Sequence, residues 1–144
     1  MKIEVDMSGK IEDYLYTVVA FRNKEQYAVL LNRKIKTEIL MEYRTKYKDI
    51  HYRLFAILIY FCIKSYLNKI QLIVIDKEYE GREKDIKKHL LRFIWMEYPK
   101  FDKGLIQFSR IGKKSGAHRL AYQTFSKKLA PNKMLAKKEI EGMI

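Results

Sequence analysis

Apolar and polar residues alternate near the start of the chain in the manner of β-strands. Along residues 2–7 every second residue is apolar, and Asp6 falls on the polar side, which is the period of a half-buried strand. Runs rich in β-branched and aromatic residues follow at 15–22 and 27–31, with short polar turns between the runs. The pattern predicts a three-stranded antiparallel meander.

Beyond residue 31 the pattern changes to alternating helices and strands. The charged segment 33–49 fits either a short amphipathic helix or a loop, and the sequence leaves both open. The elements predicted after it are a helix at 50–67, a strand at 70–75, a helix at 81–98, a strand at 104–111 and a helix at 116–130. Parallel strands need crossover connections, so this order predicts an α/β fold with a mixed sheet.

The chain of 144 residues contains no internal repeat and no linker rich in Gly, Ser or Pro. We therefore expect one domain over 1–130, followed by a C-terminal tail at 131–144. The tail carries Met134, Leu135 and Ile140 among other apolar residues, which are too many for a free end. We expect it to dock on the domain or on a second subunit, so a homo-oligomer is one of the two possibilities.

Charge indicates the partner. Thirty Lys and Arg against 17 Asp and Glu give a formal net charge of +13, and residues 100–144 hold 11 basic and three acidic residues. An excess of this size favours a polyanion such as nucleic acid.

The rest of the composition excludes several classes of protein. Cys62 is the sole cysteine and there are three scattered histidines, so neither an internal disulfide nor a clustered zinc site is expected. The N-terminal residues show no export signal, and the apolar run 54–63 is about half of a bilayer span. We expect a cytoplasmic protein with no membrane association, and the apolar run as a buried helix.

Two aspartates lie at strand ends, where α/β sheets bind their ligands. Asp6 is near the end of the first strand, and Asp76 directly follows the fourth. If the two strands are neighbours, the carboxylates converge and suit Mg²⁺ or Mn²⁺. Such a site activates water and stabilises the leaving oxygen in phosphodiester cleavage. The alternative is that each aspartate is a turn or cap residue.

The chain resembles the ribonuclease H-like superfamily of metal-dependent nucleases over roughly 1–130. The likeness rests on the element order and on three short motifs, VDMSG at 5–9, IVID at 73–76 and SGAH at 115–118. It implies a three-stranded antiparallel meander plus two parallel strands, with helices on both faces. It also implies that Asp6 and Asp76 are metal ligands, with His118 as the variable fourth member of the His-bearing branch.

One family residue is missing. Ribonuclease H proper has a glutamate on its first helix, whereas 50–67 contains no acid. Glu80 is the favoured substitute as a catalytic carboxylate, with Glu78, Glu38 and Glu42 as alternatives. The gap argues against specific cleavage of RNA–DNA hybrids, and it leaves a site with one metal or none open.

Basic residues surround His118 at the start of the last predicted helix, where backbone N–H groups already favour anions. Basic residues interleaved with aromatics suit single-stranded nucleic acid, although core packing is the alternative for the aromatics. The residues expected to bind nucleic acid are Lys10, Lys113, Lys114, Arg119 and Tyr122.

The expected function is that of a metal-dependent nuclease. An exonuclease acting on single-stranded nucleic acid is favoured, with DNA before RNA. Two alternatives stay open, a non-catalytic nucleic-acid-binding protein on the same fold and a junction resolvase-like endonuclease.

Overall fold

The computed structural model describes residues 1–144 and contains one six-stranded mixed sheet, with strand order β5-β4-β1-β2-β3-β6. The strands are β1 (Lys2–Ser8), β2 (Thr17–Arg22), β3 (Gln26–Leu31), β4 (Leu72–Asp76), β5 (Ile106–Ser109) and β6 (Lys133–Met134). Strands β1, β2 and β3 form the antiparallel meander, β4 and β5 run parallel to β1, and β6 runs parallel to β3. The predicted α/β fold with a mixed sheet is confirmed, and β6 is an addition to the five predicted strands.

Five α-helices connect and flank the strands. They are α1 (Arg33–Tyr43), α2 (Ile50–Ile63), α3 (Glu83–Glu97), α4 (Gly116–Phe125) and α5 (Lys137–Glu141), with 3-10 segments at Lys64–Lys69 and Lys103–Leu105. The ambiguous segment after β3 is therefore a helix, and Asn32 caps it by accepting the Ile35 N–H at 2.8 Å.

Several predicted helix ends differ from the observed ones. Helix α2 ends at Ile63, four residues before the predicted end, where a 3-10 segment begins. Helix α3 was predicted to begin at Gly81 but begins at Glu83, because Gly81 has a φ of +85° and belongs to a turn. Helix α4 ends at Phe125, five residues before the predicted end, because Lys127 adopts a left-handed φ of 65°.

Helices cover both faces of the sheet. Side chains of a strand alternate between faces, and accordingly Val19 and Phe21 belong to a large core with α2 and α3, whereas Val18 and Ala20 pack against α4. The small side chain of Ala20 allows α4 to approach β2 closely. This second face carries the candidate site.

The C-terminal tail docks on its own domain. Strand β6 pairs with β3, and Leu135 and Ile140 are buried in the large core. Asn132 strengthens the junction by accepting the Ala28 N–H at 2.8 Å through its side-chain oxygen. Of the two expected docking places, the structure shows the one within the same chain.

The apolar segment Ile50–Lys69 combines α2 with the 3-10 segment after it. By length and composition alone it could cross a membrane, but 67% of its most apolar window is buried inside the fold. Core helices of globular proteins have the same character.

Candidate active site at the carboxyl edge of the sheet

Asp6 is a buried carboxylate on β1, only 3% exposed. The alternating pattern placed it on the polar side of the strand, but α4 covers that side in the structure. Asp6 pairs across the sheet with Ala20, which packs against α4. Its Oδ1 accepts the Met7 N–H at 2.8 Å, and its Oδ2 lies 2.8 Å from His118 Nδ1. Both carboxylate oxygens are therefore held in place.

Asp76 is brought beside Asp6 by the parallel pairing of β1 and β4. The register pairs Val5 with Ile75, so the next residue along each strand is one of the two aspartates. Asp76 Oδ1 also accepts the Ile111 N–H at 2.6 Å, which ties the end of β4 to the chain leaving β5. The convergence that the sequence predicted for the two aspartates is present.

Glu78 completes a group of three carboxylates. Ligand oxygens of Asp6, Asp76 and Glu78 all lie within 4.8 Å of one another. Three hard oxygen donors at this spacing fit Mg²⁺ or Mn²⁺. We call these residues the carboxylate triad.

The electrostatics of the carboxylate triad favour a bound cation or proton. Burial, together with the neighbouring Asp76 and Asp6, raises the pKa of Glu78 to about 9. Burial also raises the pKa of Asp6, although its hydrogen bonds to Met7 and His118 act in the opposite direction. Negative charge is disfavoured on these groups together, and a divalent cation would relieve the repulsion.

The favoured substitute carboxylate, Glu80, lies outside the carboxylate triad. Its side chain is exposed and pairs with Arg110. The other two alternatives are on α1, where Glu38 and Glu42 pair with Lys137 at 3.5 and 3.4 Å. Of the four candidate carboxylates, Glu78 is the one that lies beside Asp6 and Asp76.

Tyr79, which the sequence analysis did not single out, anchors the segment that carries Glu78. Its ring packs edge-on against Tyr52 and Phe55 of α2. Its hydroxyl donates to Glu12 Oε1 at 3.0 Å and accepts the Ile11 N–H at 3.4 Å. Tyr79 thereby connects the segment after β4 to the loop after β1. The only sequence signal for it was an aromatic residue between two candidate carboxylates.

His118 lies in the first turn of α4, directly over Asp6. Ser115 begins that helix, since its Oγ accepts the Ala117 N–H at 3.2 Å and donates to Glu4 Oε1 at 2.9 Å. His118 Nδ1 is occupied by Asp6, so Nε2 is the ring nitrogen left for another group. His118 contacts one member of the carboxylate triad and is not itself part of that group.

A basic cleft of about 290 Å³ opens beside His118. We call it the α4 cleft, and its lining residues are Lys113, His118, Arg119, Tyr122, Gln123 and Lys128. Three of the expected nucleic-acid-binding residues line it, and the side chain of Tyr122 is more than half exposed. Lys10 and Lys114 do not line the cleft. Gln123 was missed, because a lone glutamine in a helix carries no distinctive sequence signal.

Comparison of the chain with protein-family models, curated proteins and solved structures gives no match. The carboxylate triad, His118 and the α4 cleft are therefore the observations from which a function is inferred.

Proposed function

We propose that the protein is a metal-dependent nuclease that hydrolyses phosphodiester bonds in single-stranded nucleic acid, most simply as an exonuclease. The observation that carries this proposal is the carboxylate triad, with its oxygens within 4.8 Å of one another beside a basic cleft. Metal-dependent phosphodiester hydrolysis uses cation-binding oxygens next to side chains that can bind phosphate.

The arrangement of the elements supports membership of the ribonuclease H-like superfamily. An antiparallel meander is extended by two parallel strands, with one aspartate on β1 and another at the end of β4. The last crossover helix of the sheet places His118 against the first of these aspartates. The likeness therefore extends from the order of elements to the position of the candidate residues.

Asp6, Asp76 and Glu78 would hold Mg²⁺ or Mn²⁺. When bound, such an ion lowers the pKa of a water molecule and stabilises the developing charge on the leaving oxygen. The hydrogen bond from Met7 and the contact with His118 hold Asp6 in one orientation. A preorganised carboxylate loses no conformational freedom when the substrate arrives.

His118 and the α4 cleft would orient the substrate. His118 lines the cleft, and because Asp6 holds its Nδ1, Nε2 is the ring nitrogen that can contact the substrate. Lys113, Arg119 and Lys128 supply positive charge for backbone phosphates, and Tyr122 offers a ring on which a base can stack. Stacking on Tyr122 requires an unstacked base, which favours a single strand over a duplex.

The test is cleavage of end-labelled single-stranded DNA and RNA in Mn²⁺, Mg²⁺ or EDTA. We expect metal-dependent cutting that Asp6→Asn and Asp76→Asn reduce by about 100-fold or more while binding persists. Asp85→Asn is the matched control, because Asp85 lies on α3 in an exposed pair with Arg82. Cutting in EDTA, or equal loss in all three variants, would contradict the proposal.

The second candidate is a non-catalytic nucleic-acid-binding protein on the same fold. The absence of any acid on α2, where ribonuclease H proper has a glutamate, favours it. In the same experiment such a protein would bind single-stranded DNA and RNA in a salt-dependent way and would cut neither. A junction resolvase-like endonuclease would instead cut a branched duplex at internal positions and leave the single strands whole.

A further inference from the structure

A second basic cavity, of about 580 Å³, lies on α2 and α3, on the opposite side of the sheet from α4. We call it the α3 cavity, and its lining residues are Arg53, Lys88, His89, Arg92, Trp95 and Met96. It shares no residue with the carboxylate triad or the α4 cleft, and no acidic residue lines it. The proposed nuclease chemistry leaves this cavity without a role.

His89 gives the α3 cavity a fixed polar group. The residue is 3% exposed, and its Nε2 lies 2.7 Å from Asp49 Oδ2. The other ring nitrogen, Nδ1, makes no hydrogen bond within the protein. Every fully buried side-chain nitrogen or oxygen has a hydrogen-bond partner, so Nδ1 is not fully buried. It is therefore open to the cavity that His89 lines. Burial lowers the pKa of His89, which keeps the ring neutral at pH 7. With its Nε2–H donated to Asp49, the ring presents Nδ1 as an acceptor.

Three cations at the α3 cavity have donors to spare. Lys88 lines the cavity and forms none of the ion pairs of the structure. Arg92 has one long contact, from Nη2 to the Met143 carbonyl at 3.5 Å. Arg53 is bound to Asp49 through Nε at 2.9 Å, so its terminal amino groups are free. Asp49 pairs with Arg53 alone among these cations, so Lys88 and Arg92 leave positive charge at the cavity that suits a phosphate.

Trp95 adds an aromatic wall. Its Nε1–H donates to the Phe101 carbonyl at 2.9 Å, which fixes the ring, and the residue is 40% exposed. An immobilised indole contributes little to binding a phosphate alone. It can stabilise a bound nucleobase, because any base can stack on an aromatic ring.

We propose that the α3 cavity binds a nucleoside phosphate. Lys88, Arg92 and Arg53 contact the phosphate, the base stacks on Trp95, and His89 Nδ1 accepts a hydrogen bond from a sugar hydroxyl. The nucleoside phosphate is either a free nucleotide or the terminal nucleotide of a strand. The proposal does not depend on the nuclease function, because the two sites share no residue.

Trp95 is the sole tryptophan of the chain, so its fluorescence reports directly on the cavity. We would titrate the intact protein with AMP, adenosine or inorganic phosphate in EDTA, with free tryptophan correcting for absorption by the base. We expect saturable quenching by AMP, with binding about tenfold or more weaker for adenosine and for phosphate alone.

Variants test the assigned contacts. The double variant Lys88→Ala and Arg92→Ala should weaken AMP binding about tenfold or more. Lys34→Ala removes one charge from an exposed lysine on α1 and should leave AMP binding unchanged. Asp6→Asn should also bind AMP normally, which separates failure of this proposal from failure of the nuclease proposal. Circular dichroism confirms that each variant is folded.

An oligonucleotide carrying a 5′-phosphate distinguishes the two sources of the ligand. If the strand terminus is the ligand, the oligonucleotide quenches Trp95 fluorescence at a lower concentration than AMP does. Removing its 5′-phosphate should then weaken its binding. If a free nucleotide is the ligand, the oligonucleotide does not displace AMP. The proposal is overturned if AMP gives no saturable change, if the double variant binds AMP like the wild type, or if inorganic phosphate binds as tightly as AMP.

Discussion

Replacing Glu78 by glutamine tests the carboxylate triad through stability as well as activity. Glutamine keeps the size and shape of the side chain but removes its negative charge and one ligand oxygen. Glu80→Gln is the matched control, two residues away on the same segment, because Glu80 is exposed and paired with Arg110. We expect Glu78→Gln to raise stability without metal and to lower it, relative to the wild type, with metal.

The metal-free effect follows from the pKa of Glu78, which burial raises to about 9 from an ordinary value of 4.5. The folded protein keeps the Glu78 proton up to about pH 9, whereas the unfolded chain loses it near 4.5. The wild type therefore loses stability as pH rises across that interval. One pKa unit corresponds to about 1.4 kcal/mol, and because Glu78 is partly exposed, solvent screening leaves about 2 kcal/mol at pH 7.

The effect of metal has the opposite sign. A cation present at about 100 times its dissociation constant stabilises the folded state by about 2.7 kcal/mol. For a chain of this length, 1 kcal/mol shifts the melting temperature by about 3 °C. Wild type should thus melt about 6 °C below Glu78→Gln in EDTA and gain about 8 °C in saturating Mn²⁺. Glu78→Gln should gain less than about 2 °C, because it lacks one of the three ligand oxygens, and wild type then melts at the higher temperature in Mn²⁺.

The assay is thermal unfolding of wild type, Glu78→Gln and Glu80→Gln at pH 7, in EDTA and across a Mn²⁺ titration. Glu80→Gln should follow the wild type within about 1 kcal/mol, as expected for an exposed ion pair. A Mn²⁺ shift in Glu78→Gln equal to that of wild type would refute the assignment of Glu78. The same refutation follows if Glu80→Gln, and not Glu78→Gln, loses the shift.

Three further predictions concern other parts of the molecule. His118→Gln should lose turnover in single-turnover cleavage yet keep the Mn²⁺ stabilisation, because His118 lies outside the carboxylate triad; loss of both would place it among the ligands. Ile140→Ala should destabilise the fold by about 2–4 kcal/mol in urea unfolding, because Ile140 is buried in the large core, while Met134→Ala, 59% exposed, should change little; equal effects would contradict docking of the tail. Burial lowers the pKa of His89, so the unfolded chain takes up the proton first and stability falls as pH drops below about 6.5; His89→Gln should flatten that slope in pH-dependent unfolding, and an unchanged slope would contradict the assignment.

Much of the fold was predictable because local pattern and tertiary environment agree. The apolar run at 72–75 is a strand buried between helices, and the alternation at 2–7 is a strand with two different faces. Strand β6 could not be predicted, since its two residues, Lys133 and Met134, carry no strand pattern. That strand exists because the edge of β3 offers unpaired backbone groups to the docking tail.

The candidate site was predictable where residues lie on strands and unpredictable where they lie on a loop. Asp6 and Asp76 converge because sheet register fixes them. The choice between Glu78 and Glu80 depends on the direction in which the segment after β4 turns. Tyr79 sets that direction through contacts with α2 and with the loop after β1, which are distant in sequence. Local pattern contains no information about such contacts.

The burial of Asp6 connects the fold to the proposed chemistry. A side chain at this position of β1 lies under α4, where an apolar residue would pack at less cost than a carboxylate. The carboxylate is tolerated because Met7 and His118 satisfy its oxygens, yet Glu78 beside it stays destabilised when ionised. A purely structural site would gain stability by losing one of these acids. A cation-binding site needs all of them, and this difference is what the opposite signs predicted for Glu78→Gln with and without metal measure.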